Sequence, residues 1–189
     1  GDHILVMCAK GMMEKGTLAG NTVVTTVMAN IGFHKAIEEA GGRVEITQVG
    51  DRYVLENMRE HGYRLGGEQS GHIIFSDFST TGDGLITALQ VLAALKHTGR
   101  KASELSSLMT SYPQILLNVV VATKEGWEKN EAIAAAIEAG TKELGRNGRI
   151  LVRPSGTEPL IRVMAEGPDQ AQLEMLCQRI ADVVKEEQG

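Results

Sequence analysis

The period of the apolar residues changes several times along the chain, and the changes outline its elements. Thr22 to Met28, TVVTTVM, is a β-branched run that predicts a buried strand. Phe33, Ala36, Ile37 and Ala40 then recur at helical spacing, with Asn30 placed to cap the helix and Gly41-Gly42 to end it. Val44 and Ile46, with Gln48, alternate as a second strand. Val54, Leu55 and Met58 predict a helix that stops at His61-Gly62, and Tyr63 to Leu65 a short third strand. Leu85, Ile86, Leu89, Leu92 and Ala93 mark a helix closed by Gly99, and Ala102 to Met109 another. The opening segment, Asp2 to Lys15, is read as helix because Leu5, Cys8 and Met12 share a helical face, although Ile4 to Cys8 would also suit a strand.

Strand, helix, strand, helix, strand with short links implies right-handed crossovers on a parallel sheet, which binds ligands beyond the carboxyl ends of its strands. Ser111-Tyr112-Pro113 is the expected boundary, since proline restrains its predecessor and ends a helix. A second pattern follows. Ile115 to Ala122 is a strand, Ile133, Ile137, Gly140 and Leu144 line a helix, Ile150 to Val152 and Leu160 to Met164 are strands, and Leu173, Leu176, Cys177, Ile180 and Val184 stripe a final helix. The expectation is an α/β parallel-sheet, three-layer domain over residues 1–110. A small α+β domain of β-α-β-β-α order follows over 113–189, its sheet covered on one face by two helices.

Composition narrows the partners more than the fold. A net charge of −5 with no basic cluster removes the electrostatic basis for nucleic-acid binding. No apolar run approaches the ~20 residues a bilayer requires, so neither a membrane nor a secreted location is expected, and cytoplasmic is the default. Gly1 in the place of Met points to a processed, tagged or truncated chain. The two cysteines, Cys8 and Cys177, sit in apolar stretches without metal-ligand spacing and are expected as buried thiols. Glycine is in excess, 22 residues where ordinary usage of about 7% would give roughly 13.

Three segments could carry chemistry. Arg153-Pro-Ser-Gly-Thr-Glu-Pro159 joins two apolar strands: a guanidinium and two hydroxyls can hold a phosphate, and Gly156 would let backbone N–H groups approach it. On the residues alone it is equally a polar hairpin turn, and Arg162, on the face of Leu160 and Met164, either adds charge or is simply exposed. Gly66-Gly-Glu-Gln-Ser-Gly-His72 follows the third strand. Glu68 with Ser70 could clamp sugar hydroxyls and His72 could transfer protons, or the segment is a glycine-rich loop with a surface histidine. Gly50-Asp51-Arg52, at another strand end, is a helix cap or a charged pair at the same cleft. His3, His34, His61 and His97 read as surface residues, Asp77 and Asp83 as caps for the helix near Gly84, and Met7, Met12, Met13 and Trp127 as packing.

GGEQSGH followed some 80 residues later by RPSGTEP resembles the α-D-phosphohexomutase superfamily. With NTVVTTVMANIGFHKA, VGDRYV, GGEQSGHIIF, TTGDGLITAL and RPSGTEPLIRVMAEG, the whole chain is similar to the C-terminal half of the bacterial phosphoglucosamine mutases. Gln69, where phosphomannomutases resemble one another in carrying methionine, favours that branch.

The resemblance implies four domains around a cleft, with residues 1–110 the third and 113–189 the fourth. It assigns Gly67, Glu68 and Ser70 to the sugar, Arg153, Ser155, Gly156, Thr157 and Arg162 to the substrate phosphate, and His72, Asp51 and Arg52 to the neighbourhood of the reacting oxygen. The implied reaction interconverts glucosamine 6-phosphate and glucosamine 1-phosphate through a phosphoserine and glucosamine 1,6-bisphosphate, with Mg2+, for cell-wall precursors. The family's serine loop and Asp-Gly-Asp-rich metal loop belong to the first two domains and have no counterpart here, so this chain is expected to bind without turning over. A homodimer and, in some bacteria, a diadenylate cyclase are the macromolecular partners the resemblance brings into view. A non-catalytic phosphosugar-binding or partner-binding module is the alternative.

Overall fold

A computed structural model describes residues 1–189, which divide into two compact units, Gly1–Ser111 and Tyr112–Gly189. No helix is long and apolar enough to cross a membrane.

The first unit runs α1 (Asp2–Glu14), β1 (Thr22–Thr26), α2 (Ile31–Glu39), β2 (Arg43–Thr47), α3 (Asp51–His61), β3 (Leu65–Gly67), β4 (Ile73–Phe75), α4 (Gly84–Thr98) and α5 (Ala102–Ser106). Its sheet has the order β2-β1-β3-β4, with β1 parallel to β2 and β3, and β4 antiparallel to β3. Every residue of β1 is buried because alternate side chains serve opposite faces. Val23 packs with Leu5 of α1 and Phe33 and Ile37 of α2, while Val24 packs with Val54 and Met58 of α3, which gives the three layers. Each such buried side chain contributes roughly 1.5–3 kcal/mol. Phe33→Ala, at a fully buried position, would cost about 3–5 kcal/mol.

Local chemistry sets the helix ends. Asn30 Oδ1 accepts the Gly32 N–H (3.0 Å) to start α2, and Asp83 Oδ1 accepts the N–H groups of Leu85 (2.8 Å) and Ile86 (2.9 Å) to start α4. Gly62 and Gly99 end α3 and α4 in the left-handed region.

The second unit runs β5 (Gln114–Val120), α6 (Glu131–Leu144), β6 (Arg149–Pro154), β7 (Leu160–Glu166) and α7 (Gln170–Gln188), with antiparallel order β5-β7-β6. Val119, Ile161, Val163 and Ala165 point to one face, where α6 and α7 cover them with Ile133, Leu173, Leu176, Cys177 and Ile180. The other face carries Arg153 and Arg162.

Several sequence expectations are corrected. The third strand is Leu65–Gly67 rather than Tyr63–Leu65, and Ile73–Phe75 adds an antiparallel edge to an otherwise parallel sheet. The first strand ends at Thr26, and the helix expected over 102–109 ends at Ser106. Leu85, Leu89 and Leu92 are 72%, 56% and 59% exposed, because α4 is apolar nearly all round and packs through Ile86, Val91, Ala94 and Leu95 instead. His3 is not a free surface residue: its Nδ1–H donates to the Ser106 carbonyl (2.9 Å), and its Nε2 lies 2.9 Å from Ser111 Oγ. His34 meets the Phe33 ring edge-on.

Candidate functional site

The chain moves from β1 to β2 on one side of the sheet and then crosses to β3 on the other, with α2 and α3 on opposite faces. Such a reversal opens a crevice at the carboxyl ends of the strands. The segments that leave those ends carry the sequence candidates Gly50-Asp51-Arg52 and Glu68 to His72. They meet through one hydrogen bond: the Gly50 N–H donates to Glu68 Oε1 at 3.1 Å. Glu68 is 9% exposed, whereas Ser70 and His72 are open to solvent.

Glu68 to His72 is the tight connection between β3 and β4. The Glu68 N–H donates to the His72 carbonyl (2.9 Å), the Gly71 N–H to the Glu68 carbonyl (3.0 Å), and Gly71 has φ +104°. A left-handed residue there favours glycine. Gly66 and Gly67 have another reason. They lie within β3, where a Cβ on Gly66 would stand 2.6 Å from Met58 Sδ and one on Gly67 2.5 Å from the His72 carbonyl. Packing therefore requires both glycines, and Gly67 turns its carbonyl inward to the Thr25 hydroxyl (2.9 Å).

The Gly50-Asp51-Arg52 segment takes the first of the two forms expected, a helix cap, through the backbone of Gly50 rather than through a side chain, and Asp51 and Arg52 do not pair. Gly50 occupies the cap of α3 at φ +135°, Asp51 is the first helical residue and makes no side-chain cap, and Arg52 pairs with Glu56 (2.7 Å) rather than with Asp51. The Arg52–Glu56 contact follows from their one-turn separation on a helix.

In the second unit, residues Ser155 to Pro159 close the β6–β7 hairpin. The strand register sets Arg153 directly opposite Arg162, while the far end of the same ladder sets Arg149 opposite Glu166 at 2.8 Å. Complementary charge thus closes one end of the hairpin and like charge the other. Arg162 reaches Glu158 Oε2 (3.1 Å), but its Nε is buried with no hydrogen-bond partner. Burial, and then the neighbouring Arg162 charge, push the Arg153 pKa down. Two half-buried arginines in register on neighbouring strands bring like charge together, an arrangement that an anion could neutralise.

The Ser155 side chain is buried, its Oγ accepting the Glu158 N–H (3.2 Å), while Gly156 and Thr157 are exposed at the tip. A Cβ at Gly156 would meet nothing within 4 Å, so the fold itself does not require glycine there. Sequence reasoning missed Lys124, whose Nζ donates to the carbonyls of Ser155 (2.7 Å) and Glu158 (3.0 Å). Its distance along the chain from the loop hides it, since only the antiparallel pairing of β5 with β7 brings the two together.

A groove of about 360 Å³ runs between β5 and α7, lined among others by Val120, Gln178 and Lys185, and it includes none of these candidates. No cluster of three or more His, Cys, Asp or Glu could hold a metal ion, so the donors present do not fit a magnesium site.

Comparison with known proteins follows this division. Residues 1–112 match the model of phosphoglucomutase/phosphomannomutase, alpha/beta/alpha domain III, and residues 116–183 that of the phosphoglucomutase/phosphomannomutase C-terminal domain. The phosphoglucosamine mutase of Brevibacillus brevis is 58% identical over 187 residues, covering 99% of this chain and 42% of its own. That of Geobacillus kaustophilus is 52% identical over 189 residues, covering 100% and 42%. The chain therefore spans about two-fifths of the length of the curated relatives it matches. Among solved structures, Aspergillus fumigatus N-acetylphosphoglucosamine mutase in complex with GlcNAc-6P and magnesium superposes with TM-score 0.82 at 24% identity, covering 100% of this chain and 44% of that one. A phosphoglucomutase/phosphomannomutase family protein from Burkholderia thailandensis gives 0.73 at 22%, covering 98% and 41%. These two show the shared fold, and the matched models and curated relatives show the lineage: the chain belongs to the phosphoglucomutase/phosphomannomutase family, of which it carries domain III and the C-terminal domain.

Proposed function

We propose that the longer protein to which this chain corresponds is a cytoplasmic phosphoglucosamine mutase that interconverts glucosamine 6-phosphate and glucosamine 1-phosphate. Transfer would run through a phosphoserine outside these residues and a glucosamine 1,6-bisphosphate intermediate. The observation that carries the reading is the in-register pair Arg153 and Arg162 at the mouth of the Ser155–Pro159 hairpin, in a chain whose curated relatives bear that name at 51–58% identity.

Within this chain the work is binding. Arg153 and Arg162, the hydroxyl groups of Ser155 and Thr157 and the N–H of Gly156 hold the phosphate that is not being transferred. A loop that reads only phosphate accepts the sugar in both orientations, as the two half-reactions need. In the other unit, Glu68 keeps one carboxylate oxygen on the Gly50 N–H and offers its second, with Gly67 and Ser70 beside it, to sugar hydroxyls. His72 and the exposed Asp51 and Arg52 flank that loop and are assigned to the proton and charge changes at the reacting oxygen. Mg2+ in the longer protein would be held by residues outside these 189, which offer no cluster of donors for it.

Calorimetric titration of the 189-residue chain tests the binding role. Glucosamine 6-phosphate and inorganic phosphate should release heat with a saturable isotherm, glucosamine should not, and Arg153→Ala should remove the response. Equal binding of glucosamine and its phosphate would overturn the reading.

A further inference from the structure

Lys124 lies four residues beyond the end of β5, half-buried, and spends two of its three N–H donors on carbonyls of another hairpin. The two acceptors flank the loop tip: Ser155 C=O precedes Gly156, and Glu158 C=O precedes Pro159. In a trans peptide the carbonyl and the following N–H point in opposite directions. Fixing Ser155 C=O on the ammonium therefore turns the Gly156 N–H away from Lys124. The second carbonyl belongs to a peptide whose nitrogen is proline, so holding it aligns the backbone without committing any N–H.

Neighbouring bonds agree. Pro159 C=O accepts the Val121 N–H (3.1 Å), so a third loop carbonyl is drawn toward the strand that leads to Lys124. The Glu158 N–H is spent on Ser155 Oγ and the Ser155 N–H on the Leu160 carbonyl (2.9 Å), whereas the N–H groups of Gly156 and Thr157 have no acceptor in the chain. A carbonyl facing a phosphate oxygen would repel it, so a loop that gathers its carbonyls on one side presents donors on the other.

We propose that Lys124 is the positioning residue of the Ser155–Pro159 loop, holding the Ser155 and Glu158 carbonyls so that the Gly156 and Thr157 N–H groups face a phosphate monoester. The proposal rests on the phosphate-binding reading of this loop. It assigns Lys124 a role through backbone direction rather than through contact with the ligand, and it gives Pro159 a reason to follow the second pinned carbonyl.

The test is a titration of the 15N-labelled 189-residue chain with inorganic phosphate, comparing wild type with Lys124→Met, Lys124→Gln and Lys124→Arg. The expected result has two parts. Removing the charge-assisted bonds in Lys124→Met and Lys124→Gln shifts the Gly156 amide in the phosphate-free protein and weakens phosphate binding about tenfold or more, and Lys124→Arg recovers part of both. Wild-type affinity in Lys124→Met and Lys124→Gln overturns the proposal while the phosphate reading stands. Weakened binding with the free Gly156 amide unmoved shows charge acting at a distance and also overturns it. If wild type itself shows no phosphate-dependent shifts, the phosphate reading fails and the proposal falls with it. Should Lys124→Met fail to fold, Lys124→Gln carries the comparison.

Discussion

The carboxylate of Glu68 and the backbone N–H of Gly50, 18 residues apart, are joined by a 3.1 Å hydrogen bond that ties the turn after β2 to the turn after β3. The bond fixes the direction of a buried carboxylate and holds in place a cap residue whose backbone, at φ +135°, is strained for any side chain.

Glu68→Ala should therefore have a structural as well as a functional effect. Loss of a charged hydrogen bond costs about 1.5–3 kcal/mol, whereas Glu68→Gln retains an oxygen acceptor and should cost less. Denaturant melts of the chain check this ordering. In the full-length enzyme both variants should narrow the preference between glucosamine and other hexose phosphates more than they weaken phosphate recognition, and an unchanged preference would sink the sugar clamp.

Arg153→Ala in the full-length enzyme should slow both half-reactions, each by roughly the 1.5–3 kcal/mol of a charged hydrogen bond, or about ten- to a hundredfold. Single-turnover measurements started from each monophosphate decide it. Impairment in one direction alone, beyond what the overall equilibrium requires, would show that the hairpin is not the shared anchor.

The 189-residue chain alone should show no mutase turnover, since binding groups without a phosphate donor cannot complete the transfer. A coupled assay on glucosamine 6-phosphate, with material free of host mutase, checks this directly, and turnover above background would contradict the division of labour proposed above.

Burial pushes the thiol of Cys8 up to about 12 and that of Cys177 up to about 11, from 9.0 in each case. Neither should react with a thiol reagent at pH 8 while the chain is folded. The sign for stability follows. Above pH 9 the unfolded chain releases these protons and the folded chain keeps them, so stability is intact below 9 and declines through 11 to 12. The decline is roughly 1.4 kcal/mol per pH unit for each thiol. Replacing both cysteines by alanine should flatten the stability curve between pH 9 and 11.

Much of the fold is visible in the residue pattern because burial on one face and capping by one side chain are local properties. Asn30, Asp83, Gly62 and Gly99 announce their helix ends within three residues of the site where they act. The misplaced third strand shows where local reading stops. Leu65-Gly-Gly has low intrinsic strand preference, and it becomes a strand because β1 pairs with it on one side and Ile73–Phe75 on the other. Met58 and Val54 of α3, packed on Gly66, and the His72–Ile73 backbone beside Gly67 are why both must be glycine, a requirement that looks from sequence like room for a ligand. Of the candidate site, Arg153 and the loop it opens stood out by composition. Lys124 did not, because its partners are backbone carbonyls 31 and 34 residues away, and a carbonyl carries no sequence signature.

The paired arginines would also make the C-terminal unit a reporter of the phosphate binding proposed above. Without an anion the β6–β7 ladder is held together by the apolar face beneath it, against a repulsion beside its connecting loop. Neutral salt screens that repulsion and so steadies the empty unit, yet it also screens the attraction for a bound phosphate. Added sodium chloride should raise the melting point of the vacant hairpin and erode the further rise that phosphate gives. Two opposite salt slopes, one for each state of the same two strands, would be the calorimetric signature of a site built by placing like charges together.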